Sequence, residues 1–134
     1  VPSDQPTIVV LDIDGTLVDT NYQHAIAWHR AFCSRDYVVQ LWEIHRHIGM
    51  GGDQLVAALI GKEGERSDGE AIRAAEGEAY GELIGEVQAM QGATELLREL
   101  REAGAAEVFE SIGELRKDRQ ALARLATPVS ANSS

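Results

Sequence analysis

Thr7-Ile8-Val9-Val10-Leu11-Asp12-Ile13-Asp14-Gly15-Thr16-Leu17-Val18-Asp19-Thr20 sets two carboxylates where an apolar, β-branched run gives out. Ile8 to Leu11 has the composition of a short strand covered on both faces, and Gly15 punctuates it. Asp12 and Asp14 then fall at the carboxyl end of that strand, where open α/β sheets place their ligands. A carboxylate there can attack phosphorus to give an aspartyl-phosphate, while a second one protonates the leaving oxygen and later activates water. Two such anions repel each other and a phosphate, so a divalent hard cation, most plausibly Mg²⁺, is expected at Asp12 and Asp14. Gly15 permits a tight turn, and the Thr16 hydroxyl with nearby backbone N–H groups can hold a phosphate oxygen. Two loose aspartates after a strand are also what an Asx-rich turn looks like.

The whole string Leu11-Asp12-Ile13-Asp14-Gly15-Thr16-Leu17-Val18-Asp19 resembles the first signature motif of the haloacid dehalogenase superfamily of hydrolases. The resemblance implies Asp12 as nucleophile and metal ligand, and Asp14 as general acid/base whose main-chain carbonyl also meets the metal. It implies Thr16 as a phosphate contact. Aspartate at position 14 is the form found in the phosphatase branch. Asp19-Thr20 followed by a helix is similar to the entry into a helical cap, as in phosphoglycolate phosphatase-like and β-phosphoglucomutase-like members.

Helical spacing supports such a cap. Ala25, Trp28 or His29, and Phe32 line one face of residues 21 to 34, with Asp19 or Thr20 able to cap the start. Leu41, Ile44, His45 and Ile48 mark a second short helix, and a third follows Asp53 with Leu55, Val56, Leu59 and Ile60 inward and Gly61 as its stop. The segment His45 to Gly52 resembles the cap loop that influences substrate choice in relatives, which makes Arg46 the candidate contact for an anionic substrate. A polar linker, Gly61 to Ser67, leads to a long helix over about residues 68 to 88, opened by a Ser67/Glu70 capping box. Gln91-Gly92-Ala93 begins a return helix through Leu100, closed by Gly104.

Beyond that helix the chain departs from the pattern. Full members continue into strands carrying a phosphate-binding Ser or Thr, a Lys and an acidic pair that completes the metal site. The only lysines here are Lys62 and Lys117, and beyond Asp53 the only aspartates are Asp68 and Asp118. Residues 105 to 115 instead look like the family's last strand and the start of its last helix, with a Ser111/Glu114 capping box. The expected fold class is α/β: an incomplete Rossmann-like core (first strand and last strand-helix) with an inserted α-helical cap, helix-dominated overall. Its divisions are residues 1–20 for the first core strand and catalytic loop, 21–88 for the cap, and 89–126 for the return helix, last strand and last helix. A disordered tail is expected over 127–134. An internal deletion between similar helix sequences would account for the join, and the missing initiating Met suggests a trimmed chain. In the family the first and last strands are not neighbours, so they would have to pair by rearrangement, or the chain would dimerise through open strand edges.

With 134 residues, 44% of them apolar, the chain is one domain's worth and can bury a useful core. A net charge of −10 argues against nucleic acid and anionic membranes as partners. Cys33 is the only cysteine, which excludes an internal disulfide and fits a cytoplasmic setting. His45 with His47, and His24 with His29, are poorly spaced for a metal on a helix. Trp28, Trp42, Tyr37 and Tyr80 read as core or cap-surface aromatics, and Glu76, Glu78, Glu82 and Glu86 as the solvated face of the long helix. Two classes of function remain: a Mg²⁺-dependent phosphatase of small phosphorylated metabolites, weakened by the missing groups, or a non-catalytic relative that binds itself or a partner.

Overall fold

The computed structural model describes residues 7–110. Its first strand, β1 (Ile8–Asp12), pairs in parallel with β4 (Ala106–Glu110), in the register Ile8↔Ala106 through Asp12↔Glu110. The two ends of the described chain thus meet as direct neighbours, the rearranged pairing rather than a separated one. A parallel pair needs a long crossover. Here the crossover is everything between: β2 (Val18–Asp19), helices α1 (Asn21–Cys33), α2 (Leu41–His47) and α3 (Gly52–Leu83), β3 (Gln88–Ala89) and α4 (Ala93–Glu102).

β1 is not covered on both faces. Ile8 and Val10 are 63% and 56% exposed, while Val9 and Leu11 are half-buried. Among the described residues only β4 joins its sheet, too little structure to close over both sides of the strand.

The polar stretch after Gly61 is a second correction. Residues 62–67 are helical and belong to α3, and the interruption is confined to Gly61, at φ 80° and ψ 169°. Since the chain re-enters the helix immediately, Ser67 lies inside it and opens no new one. Its hydroxyl donates back to the Glu63 carbonyl at 3.0 Å, so the Ser67/Glu70 box does not form. The long helix ends at Leu83 rather than near 88, giving way to a 3₁₀ turn, Ile84–Glu86, because β3 must turn to meet β2.

That β2–β3 contact sets Val18 opposite Ala89 and Asp19 opposite Gln88, with the Met90 N–H donating to the Leu17 carbonyl at 2.9 Å. The two strand segments that lead into and out of the helices are therefore clasped side by side. Above the clasp, α1, α2 and α3 bury Ala25, Trp28, Phe32, Val39, Ile44, Leu55, Val56 and Ile72 together. Below it, Ile13, Leu17, Val18, Val87, Ala93 and Leu97 form a separate cluster under the Asp12–Thr16 loop. Full burial of one such aliphatic or aromatic side chain is worth about 1.5–3 kcal/mol, so most of the order resides in the helical layer. α4 starts after Gly92 in the left-handed conformation and is followed by Gly104 at φ 73°, as expected from the sequence. The Ser111/Glu114 box, the last helix and the tail lie outside the described residues.

Candidate active site

The loop after β1 is shaped by one carbonyl. Ile13 O accepts from the N–H groups of Thr16, Leu17 and Val18, at 3.2, 3.0 and 3.2 Å, and the Gly15 N–H donates to Val18 O at 2.8 Å. This winding drives Ile13 and Leu17 into the lower core and leaves Asp12 and Thr16 outside. Gly15 sits at φ 72°, a backbone conformation that favours glycine, and a Cβ there would lie 2.5 Å from Asn21 Nδ2 and displace that side chain.

The two aspartates occupy unlike environments. Asp12 is exposed, with the Thr16 hydroxyl 3.4 Å from its Oδ2, a long hydrogen bond. Asp14 is only 7% exposed, and its Oδ1 accepts from the fully buried Thr20 hydroxyl at 2.6 Å. Thr20 does stand at the N-cap position of α1, but its side chain caps nothing: its hydroxyl is committed to Asp14. His24, one turn further on, approaches the same oxygen with Nε2 at 3.4 Å and bonds Glu76 Oε1 through Nδ1 at 2.9 Å. Its ring stacks on Tyr80, centroids 4.0 Å apart. Burial by itself would depress the His24 pKa. The hydrogen bonds and charges of Asp14 and Glu76 outweigh it and raise the value to about 9, making His24 the cation between two anions.

Thr20, His24 and Glu76 therefore form a buried brace from the Asp12–Thr16 loop through α1 to α3, which the sequence reading missed. Glu76 is not on the solvated face, since its carboxylate turns inward to His24. A signal was present: Ile72, Glu76 and Tyr80 fall four apart on one stripe, and Thr20 and His24 are also four apart.

Arg46 is placed elsewhere. It is exposed, with its guanidinium 5.9 Å from the Trp42 ring centroid, and among the described residues it forms no hydrogen bond or ion pair with Asp12 or Asp14. Lys62 is exposed on α3. Lys117 and Asp118 lie outside the described residues.

Among the described residues no three His, Cys, Asp or Glu side chains are grouped for a metal. Mg²⁺ does not need such a cage, since it keeps several waters and takes one or two carboxylates plus phosphate oxygens. The exposed Asp12 carboxylate and the adjacent Asp14 main chain fit that minimal set, although Asp14 Oδ1 is already engaged.

The haloacid dehalogenase-like hydrolase family matches the chain over residues 6–129. A comparison with curated proteins returns no match. Among solved structures, a hydrolase from Pseudomonas syringae is 28% identical with a TM-score of 0.77, matching 95% of this chain and 57% of its own. CbbY from Rhodobacter sphaeroides, in complex with phosphate, is 20% identical with a TM-score of 0.68, over 90% of this chain and 57% of its own. A HAD family hydrolase from Deinococcus radiodurans, with bound phosphate and sodium, is 25% identical with a TM-score of 0.53, over 90% and 53%. The chain spans little more than half the length of these structures.

Proposed function

The chain belongs to the haloacid dehalogenase-like hydrolases, and we propose on that footing that its Asp12–Thr16 loop is the nucleophilic part of a site hydrolysing small phosphomonoesters. The observation that carries the reading is the unlike setting of two neighbouring carboxylates, one exposed and one buried in hydrogen bonds. Separate environments are how one site assigns separate roles to like groups. Two relatives that hold phosphate add weight to the ligand class.

In this reading an Asp12 oxygen attacks phosphorus as the bond to the leaving oxygen breaks, and a proton passes from the His24 imidazolium through Asp14 to that oxygen. Asp14 then takes a proton from water, whose oxygen displaces Asp12 from phosphorus and releases inorganic phosphate. The Thr16 hydroxyl, held by only a long bond to Asp12, turns to a phosphate oxygen, while the N–H groups of Gly15 to Val18 stay committed within the loop and fix its shape. Mg²⁺, held by Asp12 and the Asp14 main chain, would supply charge neutralisation for the phosphoryl group. Thr20 and His24 keep Asp14 in place through its Oδ1. Loss of a single electrostatic donor typically costs about 10²–10³ in rate, so without the family's lysine and second acidic pair turnover is slow. The lone Cys33 supports a cytoplasmic setting.

The test is hydrolysis of a generic phosphomonoester by the purified chain with Mg²⁺, beside Asp12→Asn. Loss of the rate in the variant is expected, and equal rates in both would overturn the reading. The open face of β1, with Ile8 and Val10 exposed, favours self-association as a second, non-catalytic role. Sedimentation as a monomer at all concentrations would count against that role.

A further inference from the structure

Beside the brace is a small cavity of about 40 Å³ between α1, α3 and the Ile48–Gly52 loop. Trp28, Leu55, Ile48 and Met50 make its apolar wall, and His24 and Glu76 make its polar one. One water needs roughly 10–15 Å³ on this measure, so the space takes a fragment of a few heavy atoms and no sugar ring. Its charge is equally restrictive. His24, as an imidazolium, already directs one ring N–H towards Asp14 and the other to Glu76, a single cation set against two carboxylates. Arg73, whose Cδ would come within 3.3 Å of a Cβ on Gly52, turns its guanidinium onto Glu65 with both bonds at 2.7 and 2.9 Å. An entering anion would therefore meet the Glu76 carboxylate with no uncommitted cation among the described lining residues.

We propose that this cavity, formed by Trp28, Glu76 and Met50 beside His24, binds the ammonium end of a small amino alcohol. A carboxylate and an indole in one partly desolvated wall are the pairing that recognises organic cations. The assignment deepens the phosphatase reading and rests on it only for the link to turnover: the substrate class is then a phosphomonoester of an amino alcohol, its phosphate at Asp12 and its ammonium group in the helical layer.

Binding can be read without catalysis. Trp28 and Trp42 are the only tryptophans, so the full chain carrying Trp42→Phe reports on Trp28 fluorescence alone. Ethanolamine, ethylene glycol and glycolate, matched in size and differing in charge, are titrated at constant ionic strength. Ethanolamine is expected to give a saturable change with an affinity at least about tenfold above the other two, and Glu76→Gln to remove that preference. Because Glu76→Gln also touches the brace, Met50→Lys provides a second variant. Met50 is exposed at the cavity mouth, and a cation there should abolish ethanolamine binding with the helical circular dichroism unchanged. No saturable response to ethanolamine, or an equal response to ethylene glycol or glycolate, overturns the assignment. Rates on the corresponding phosphomonoesters test the two readings separately: binding without any hydrolysis leaves the cavity assigned and refutes the phosphatase, whereas hydrolysis without amine preference does the reverse.

Discussion

Replacing Thr20 with valine removes one hydroxyl and little else, which makes it a direct measure of the brace. Thr20 is fully buried, and its 2.6 Å bond to Asp14 Oδ1 is short. A hydrogen bond to a charged group contributes about 1.5–3 kcal/mol, and valine fills nearly the same volume, so no cavity term is added. The expected cost of Thr20→Val is therefore about 2–3 kcal/mol, read from urea denaturation at neutral pH with an unchanged m-value. In an Asp14→Asn background the same substitution removes only a neutral bond, about 1 kcal/mol, so the cycle should show a coupling of about 1–2 kcal/mol. A helix-capping role for Thr20 predicts a cost independent of residue 14. Equal costs in both backgrounds, or a cost below about 0.5 kcal/mol in the first, would refute the assignment of Thr20 to Asp14.

The raised pKa of His24 stabilises the fold below pH 6.5, where the imidazole is protonated in both states, and that stability is lost as pH rises towards 9. The difference is on the order of 3 kcal/mol, and denaturation midpoints at pH 6 and pH 9.5 should show it, with His24→Gln flattening the profile. Phe32→Ala, at a fully buried position in the helical core, should cost about 3–5 kcal/mol by the same denaturation assay, and a loss under 1 kcal/mol would contradict the packing. Gly15→Ala should destabilise by about 1–2 kcal/mol, through the positive φ and the crowding by Asn21, a change readable as a lowered Tm.

Much of this molecule was legible in order of appearance along the chain. The apolar run before Asp12, the periodic faces Ala25-Trp28-Phe32 and Leu55-Val56, and the Gly92 and Gly104 boundaries are local signals, produced by burial and backbone freedom that act over a few residues. The same locality explains the errors. Gly61 reads as a stop because glycine in isolation breaks a helix, yet continuation on its far side lets a single residue absorb the irregularity. Glu76 reads as solvated because three of its neighbours in sequence are acidic, while its actual environment is set by His24, 52 residues away.

The sequence by itself determined the family motif at Asp12, Asp14, Gly15 and Thr16, since each depends on residue type and spacing within one turn. Only the tertiary structure decided which aspartate is sheltered, that β1 lies against β4, and that Thr20, His24 and Glu76 act as one unit. Those outcomes come from long-range packing: stacking α3 on α1 brings a carboxylate to a buried imidazole, and an ion left unpaired there would be too costly to keep.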